Sequence, residues 1–326
     1  MYLINGTQAL KVEDLTFHDL HMIEEHIEEI LRLNIDMICD DEESMLLVGQ
    51  QVANQAQARS DLIAIDQDGN LVLIELKRDK KDMEQRKEPL EFQAIRYAAS
   101  CATIQTTDEL IQNVFAPYVE KHRSEFGEEE LSSNEVARRK LEAFLENNHV
   151  TTFNERQRIV LVASDFDEQT LSAVAWLNSN QVDISCYRMI PSKINGQLVL
   201  DPQKILPLAE PEDFYISIKD RMSLGKTPKR DISRRTLPKI SSLLEWGVVK
   251  AGDTIVAKGK ENEAILNADG SVSTAEGDRS LQQWLKSVFQ WASVETYAFS
   301  VQKSSGKTLS ELRREYMENA MEESDC

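Results

Sequence analysis

The stretch Arg59–Lys77, RSDLIAIDQDGNLVLIELK, decides the fold. Two apolar runs, Leu62-Ile63-Ala64-Ile65 and Leu71-Val72-Leu73-Ile74, have the length and composition of buried strands. Between them lies Gln67-Asp68-Gly69-Asn70, whose Asp-Gly pair is a strong hairpin signal. The charges break the local rule. Asp61 opens the first run, and Glu75 and Lys77 sit in the second, where a buried strand should carry apolar side chains. Charge inside a sheet is costly unless it is paired or binds a metal. A conflict of this kind marks a functional site.

Two registers are open to this hairpin. A two-residue loop at Asp68-Gly69 pairs Asp61 with Leu76 and sends Asp61 and Glu75 to opposite faces, because a one-residue slip flips every side chain. A three-residue loop, Gln67-Asp68-Gly69, with Gly69 left-handed as a bulge, pairs Asp66 with Asn70 and Asp61 with Glu75. The second puts Asp61, Glu75 and Lys77 on one face. It is the predicted register.

Two carboxylates converging on a sheet face are hard oxygen ligands, suited to Mg²⁺ or Mn²⁺. The backbone carbonyl of Leu76 could add a ligand. Lys77 can hold a water near the metal and offset negative charge developing at phosphorus. The preceding segment, Asp14–Asn34, reads as a helix with Leu20, Ile23, Ile27, Ile30, Leu31 and Leu33 at helical spacing. Glu24 on that helix could complete the ligand set, with Glu25 and Glu28 as alternatives for the same place. The plain structural reading, a Glu75–Lys77 salt bridge at a strand end, is weakened by Asp61, which leaves two acids for one lysine.

The rest of the chain frames this hairpin. Met1–Val12 reads as a short strand or arm, and Met45–Val52 as a strand leading to the hairpin. Glu91–Ala102 reads as a helix with Phe92, Ile95, Ala98 and Ala99 inward and with Gln93 and Tyr97 four apart on one face. Asp108–His122 and Asn134–Asn147 read as two further helices. Arg158–Ser164, Glu168–Asn178 and Val182–Ile190 form a strand–helix–strand unit, which predicts a parallel crossover in a mixed sheet. Asn195-Gly196 is a turn before Leu198–Leu200. Beyond Lys239 the pattern changes to a small α+β domain: helices at Ile240–Trp246, Ser280–Trp291 and Leu309–Met321, strands at Asp253–Lys258, Ala264–Asn267 and Tyr297–Val301, and a turn at Asp269-Gly270.

Net charge is −19, which by itself argues against a nucleic-acid partner. The charge is uneven, however. Lys219–Lys239 carries eight basic residues, Lys226, Lys229, Arg230, Arg234 and Arg235 among them, against Asp220 and Asp231. With Pro228, Pro238 and Gly225 it reads as a basic linker. A second basic group, Lys77, Arg78, Lys80, Lys81, Arg86 and Lys87, follows the hairpin directly. An acidic chain with two basic patches can hold a polyanion; solvated faces are the plainer reading. Cys39, Cys101, Cys186 and Cys326 have no paired spacing, which predicts free thiols in a reducing cytoplasm. No apolar run approaches a membrane span, and no signal peptide is expected. Two Gly-Lys-Thr triplets, at Gly225 and Gly306, lack the second glycine of a phosphate loop, since Asp220 and Val301 stand there.

Asp61…Glu75-Leu76-Lys77, followed by Gln93-Ala-Ile-Arg-Tyr97, resembles the core of the PD-(D/E)XK nuclease superfamily, in its RecB-like and NucS-like branches. The likeness runs from Glu24 to about Pro207. It implies a restriction-endonuclease-like mixed α/β sheet flanked by helices. Gly247-Val-Val-Lys-Ala-Gly252-Asp253, Ala268-Asp269-Gly270, Ser280-Leu-Gln-Gln-Trp284 and Leu309-Ser-Glu-Leu-Arg313 resemble the RAMA domain, associated with restriction systems and adenine methylases and thought to read modified DNA. In that domain Trp246, Trp284 and Trp291 could stack on bases, with core packing the preferred reading of each.

Together these imply a nuclease domain over 1–218, a basic linker over 219–239 and a RAMA-like domain over 240–326. The expected activity is Mg-dependent cleavage of DNA in the cytoplasm, of a restriction or defence type. Asp61 and Glu75 would hold the metal with Leu76 and Glu24, Lys77 would position the attacking water, and Gln93 and Tyr97 would orient Lys77 or the phosphate. Arg78, Lys80, Lys81 and the linker cations would track the DNA backbone. A homodimer is an option, since many such nucleases dimerise to cut both strands, although the sequence carries no interface signal. The rivals are a DNA-binding regulator that no longer cuts and an RNA-processing nuclease.

Overall fold

A computed structural model describes residues 2–12, 14–53, 59–79, 88–127, 130–207 and 237–324, with side chains up to 319. The chain divides into two units. The first comprises Met1–Ile38 and Met45–Leu208, the second Cys39–Ser44 and Ala209–Cys326. Of the cations expected to meet DNA, Lys80, Lys81, Lys226, Lys229, Arg230, Arg234 and Arg235 lie outside the described residues, as do Arg86 and Lys87. No helix among the described residues is long and apolar enough to cross a membrane.

The first unit is a mixed six-stranded sheet flanked by helices. Its strands are β3 (Met45–Ala53), β4 (Arg59–Asp66), β5 (Leu71–Lys77), β6 (Arg158–Ala163), β7 (Ile184–Ile194) and β8 (Gln197–Leu206), hydrogen-bonded in that order. The pairs β3–β4, β4–β5 and β7–β8 are antiparallel, and β5–β6 and β6–β7 are parallel. Strands β5 and β6 are buried at every position, as central strands covered on both faces must be. Four long helices belong to this unit: α1 (Glu24–Leu33), α2 (Leu90–Cys101), α3 (Ser133–Asn147) and α4 (Glu168–Ser179). A helical stretch that includes the π-helical turn Ile111–Phe115 lies between α2 and α3. The expected strand–helix–strand crossover is β6–α4–β7. Pro202 sits in β8, an edge strand of the six, where a missing N–H costs least. The N-terminal arm is a hairpin, β1 (Tyr2–Asn5) with β2 (Gln8–Lys11).

The central hairpin adopts the predicted register. Leu62 pairs with Ile74 and Ile65 with Leu71, so Asp66 faces Asn70 and Asp61 faces Glu75. The Gly69 N–H donates to the Asp66 carbonyl at 3.0 Å, and Gly69 is left-handed at φ +83°. Asn154 anchors this turn: its N–H donates to the Gly69 carbonyl and its side-chain oxygen accepts from the Leu71 N–H, while its amide donates to the Cys101 and Ile104 carbonyls behind α2. One buried amide thereby locks the hairpin to the end of α2.

Two expectations differ from the structure. The helix predicted over Asp14–Asn34 is shortened to α1, because the residues before it find other partners. The Leu15 N–H pairs with Pro191, Thr16 and Asp19 cap each other in a tight turn, and the N–H groups of Phe17 and His18 donate to the buried carboxylate of Asp79. In α2 the buried face is rotated. Phe92 is 58 % exposed and Ala99 is also exposed, whereas Leu90, Glu91, Ala94, Tyr97, Ala98 and Cys101 are buried. Glu91 tolerates burial because its carboxylate accepts from the Thr170 hydroxyl on α4.

The second unit has its own six-stranded sheet, in the order β12-β11-β10-β9-β13-β14, all antiparallel. Strands β9 (Thr254–Ala257) and β10 (Glu263–Leu266) stand where the sequence places them. Strands β11 (Ser271–Thr274) and β12 (Gly277–Ser280), beyond the Asp269-Gly270 turn, do not announce themselves, because SVST and GDRS carry almost no apolar alternation. The predicted strand Tyr297–Val301 is instead a helical turn, Thr296–Phe299, and then β13 (Ser300–Gln302), which pairs with β9 and with β14 (Lys307–Thr308). Tyr297 turns inward there, buried, with its hydroxyl accepting from the Ile240 N–H at 2.7 Å. The helices are α5 (Ile240–Glu245), α6 (Leu281–Phe289) and α7 (Leu309–Ser324). The core gathers Leu243, Ile255, Leu266, Trp284, Tyr297 and Leu309. Arg313 holds Glu42 in a buried ion pair and stacks over the Tyr297 ring at 4.8 Å.

The glycine at the central turn is required twice. A Cβ on Gly69 would stand 2.6 Å from the Thr152 carbonyl oxygen and 2.5 Å from a Val150 methyl, in a backbone conformation that side chains disfavour. Gly69→Ala is expected to cost on the order of 3 kcal/mol, read as a lowered midpoint in urea unfolding.

Candidate active site

Asp61, Glu75 and Lys77 come together because β4 and β5 stop pairing there. The ladder ends at Leu62–Ile74, and beyond it the Leu76 N–H has no carbonyl opposite. The Asp61 carboxylate fills that position, accepting from the Leu76 N–H at 2.8 Å. Within a strand the N–H and C=O of one residue point to the same side. The Leu76 carbonyl is therefore aimed at the Asp61 side as well, as expected of a backbone ligand. The Leu76 side chain is buried in the opposite face.

Lys77 is the single cation of this group. Its Nζ lies 3.2 Å from Glu24 Oε2, 3.7 Å from Glu75 Oε1 and 4.0 Å from Asp61 Oδ2. Burial pulls its pKa down, but Asp61, Glu24 and Glu75 together outweigh that and hold it above the usual lysine value. Lys77 is thus a charged hydrogen-bond donor and not a base. Glu24 binds this lysine, and of the four acids on α1 it is the one that reaches it, Glu29 being paired with Arg32. Glu25 is exposed, and Glu28 is buried and held by the amides of Gln50 and Gln51.

Glu75 is fully buried, at 0 % exposure. Its Oε1 accepts from the Gln93 amide at 2.6 Å, and its Oε2 has no hydrogen-bond partner among the described residues. Burial, with the Asp61 carboxylate next in weight, pushes its pKa up to about 8. Burial also raises Asp61, against the pull of Lys77. A buried acceptor with no donor is rare, and each case calls for an explanation. An oxygen without a donor among the described residues, beside a second carboxylate and a backbone carbonyl on the same side, suits a hard divalent cation. The described residues hold no cluster of three or more acid, histidine or cysteine side chains placed to bind a metal. The oxygens that could hold a cation here are those of Asp61 and Glu75 and the Leu76 carbonyl, with Glu24 engaged by Lys77.

Gln93 and Tyr97 both reach the site, in roles other than expected. Gln93 orients the Glu75 carboxylate, not Lys77. The Tyr97 hydroxyl bonds Gln93, and its pKa is raised by burial and by the nearby Glu75 and Asp61 charges. Arg78 is half-buried, with its backbone N–H 3.5 Å from Glu24 and its guanidinium 3.6 Å from Asp79. Its guanidinium sits at the end of the hairpin with 26 % of the side chain exposed.

Sequence reasoning missed Gln51. It stands opposite Asp61 on β3, and its amide links Glu28 to Asp61 Oδ1 at 3.3 Å. Its backbone is left-handed, at φ 53°, a strained conformation for a side chain that carries a Cβ. A bulge between Leu47 and Gly49 sets this alignment, and nothing in the run MLLVGQQVA reveals it. Asp79 was likewise missed; it ties the strand end to Ser164 and to the turn before α1.

In the second unit Trp284 is core, as preferred from the sequence. Trp246 stacks on Tyr316 at 4.6 Å, and Trp291 on Phe289 at 4.7 Å. Phe289, Trp291 and Phe299 form a compact aromatic group, with Lys258 and Lys260 each 5.9 Å from a phenylalanine ring of it.

Neither a protein-family model nor a curated protein matches the chain, so these roles rest on geometry.

The Glu75 carboxyl binds a proton in the folded, metal-free protein that the unfolded chain releases above its ordinary value of 4.5. Stability should therefore fall as pH rises from about 4.5 to about 8. Glu75→Gln is expected to flatten that slope and to stabilise the chelated protein at pH 8 by roughly 1–4 kcal/mol. Excess Mg²⁺ or Mn²⁺ should raise the wild-type melting temperature and leave the variant's unchanged. Thermal unfolding with chelator and with metal, at two pH values, checks all three.

Proposed function

We propose that this protein is a metal-dependent endonuclease that hydrolyses DNA phosphodiester bonds in a cytoplasmic restriction or defence role. The observation that carries this reading is the Oε2 of buried Glu75, without a hydrogen-bond partner among the described residues, on one face with Asp61 and Lys77. A salt bridge kept only for stability would leave no carboxylate oxygen bare and no second acid beside it.

Asp61, Glu75 and the Leu76 carbonyl would hold Mg²⁺, with Mn²⁺ as a substitute. When bound, the cation supplies positive charge to a phosphoryl centre that gains negative charge during attack. The chain's own groups do the rest. Lys77, kept charged by three acids, donates hydrogen bonds to the attacking water and to the phosphoryl oxygens. Glu24 restrains the lysine, Gln93 fixes the Glu75 carboxylate, and Tyr97 fixes Gln93. Water adds to phosphorus, the ester P–O bond breaks, and a phosphate monoester and an alcohol leave.

The resemblance of the second unit to RAMA domains supports site choice by reading modified DNA. The aromatic group with Lys258 and Lys260 suits base stacking beside a phosphate.

The test is cleavage of methylated and unmethylated DNA, with Mg²⁺ or Mn²⁺, by wild type, Asp61→Ala and Lys77→Met. Each substitution is expected to lower cleavage by about 100-fold or more while DNA binding persists. Residual cleavage equal to wild type in Asp61→Ala overturns the site. Binding without cleavage under every metal identifies a regulator, and cleavage of RNA alone an RNA-processing enzyme.

A further inference from the structure

We propose that a nucleobase of the strand being cut, next to the scissile phosphate, is drawn into a cavity beside the acids; this rests on the nuclease reading above. The cavity, of about 760 Å³, is lined among the described residues by the last residues of β3, the first of β4, the C-terminal half of α2 and the π-helical turn. Its volume falls in the range of small-ligand sites.

Two residues join it to the site. Tyr97 lines the cavity, and its hydroxyl bonds Gln93, which holds Glu75. Ser60 lines it too and immediately precedes Asp61 on β4, about 3.4 Å along the strand. The cavity's lining is thus one strand residue from Asp61 and two side-chain hydrogen bonds, through Tyr97 and Gln93, from Glu75.

The lining selects the occupant. Every described lining residue is uncharged, in a chain of net charge −19. A phosphate gains nothing there, whereas a flat neutral heterocycle does. Ile63 and Val114 offer apolar walls for the ring faces. Asn113 presents an amide donor and acceptor side by side, the pair that matches a base edge, and it has no hydrogen-bond partner among the described residues. Ser60 adds a hydroxyl. A second cavity, of about 620 Å³ between α2 and α4, lacks these features: it is lined by Phe92 and Trp176 with Glu91 and Glu168, and acids there repel a strand. Enzymes that extrude a base read it by stacking and edge hydrogen bonds in a neutral pocket, and this one opens to solvent at Ala53, Thr103 and Asn113.

Two variants test the pocket without touching the acids. Asn113→Leu removes the amide from an exposed position. Ala53→Trp, at the exposed end of β3, fills the cavity. Binding of the four free nucleosides is followed by saturation-transfer NMR on the full chain. Wild type should bind one of them best, both variants about 10-fold more weakly, and Asp61→Asn as wild type does. Equal binding by wild type and both variants, or none by wild type, overturns the pocket whatever the cleavage assay gives. In a second arm, duplexes carry one abasic position at a time around the cut. Loss of the neighbouring base should slow cleavage about 10-fold, and loss of distant bases should have no effect. Uniform cleavage of all abasic duplexes alongside nucleoside binding identifies a free nucleoside as the occupant and overturns the strand-borne base. Failure of wild type to cut any DNA rejects the nuclease reading, while the nucleoside arm still judges the cavity.

Discussion

Two carboxylates, Asp61 and Glu75, face one another at the end of a strand pair with one ammonium beside them. Burial and mutual repulsion both oppose ionising the pair, and this conflict organises the first unit. Lys77 offsets part of it, and the Leu76 N–H bound to Asp61 offsets a further part. What is left falls on Glu75, whose pKa rises to about 8 and whose Oε2 has no donor.

The surrounding elements hold this conflict in place. Glu24 and Glu28 come from one face of α1, and they act differently. Glu24 touches the lysine directly, while Glu28 acts through Gln51, which a bulge and a left-handed backbone bring opposite Asp61. Gln93 and Tyr97 descend from α2, whose end is bound by Asn154 to the turn at Gly69. The turn, the helix and the acids are thus one mechanical assembly, and the register at Gly69 reaches the chemistry at the opposite end of the hairpin.

The second unit solves a different problem. Its sheet is built from short strands with little apolar alternation, so its stability rests on a core around Trp284 and Tyr297 and on the buried Glu42–Arg313 pair. Its aromatic side chains divide accordingly. Trp284, Tyr297 and Phe299 are committed to the core, and Phe289 and Trp291 pack against it half-buried, with Lys260 beside the Phe289 ring.

The sequence by itself determined the central hairpin, its three-residue turn and the face shared by Asp61, Glu75 and Lys77. All of these depend on contacts a few residues apart and on the fixed two-residue period of a strand. It also determined the crossover β6–α4–β7 and the Gln93/Tyr97 face, because long apolar runs and helical spacing are local signals. Tertiary structure alone decided which α1 acid meets Lys77, which group Gln93 holds, and that Gln51 stands across from Asp61. Those outcomes turn on a bulge in β3, on the shortening of α1 by Asp79 and Pro191, and on the rotation of α2 that exposes Phe92. Each is a contact between residues distant in the chain, and such contacts leave no periodic trace in the sequence.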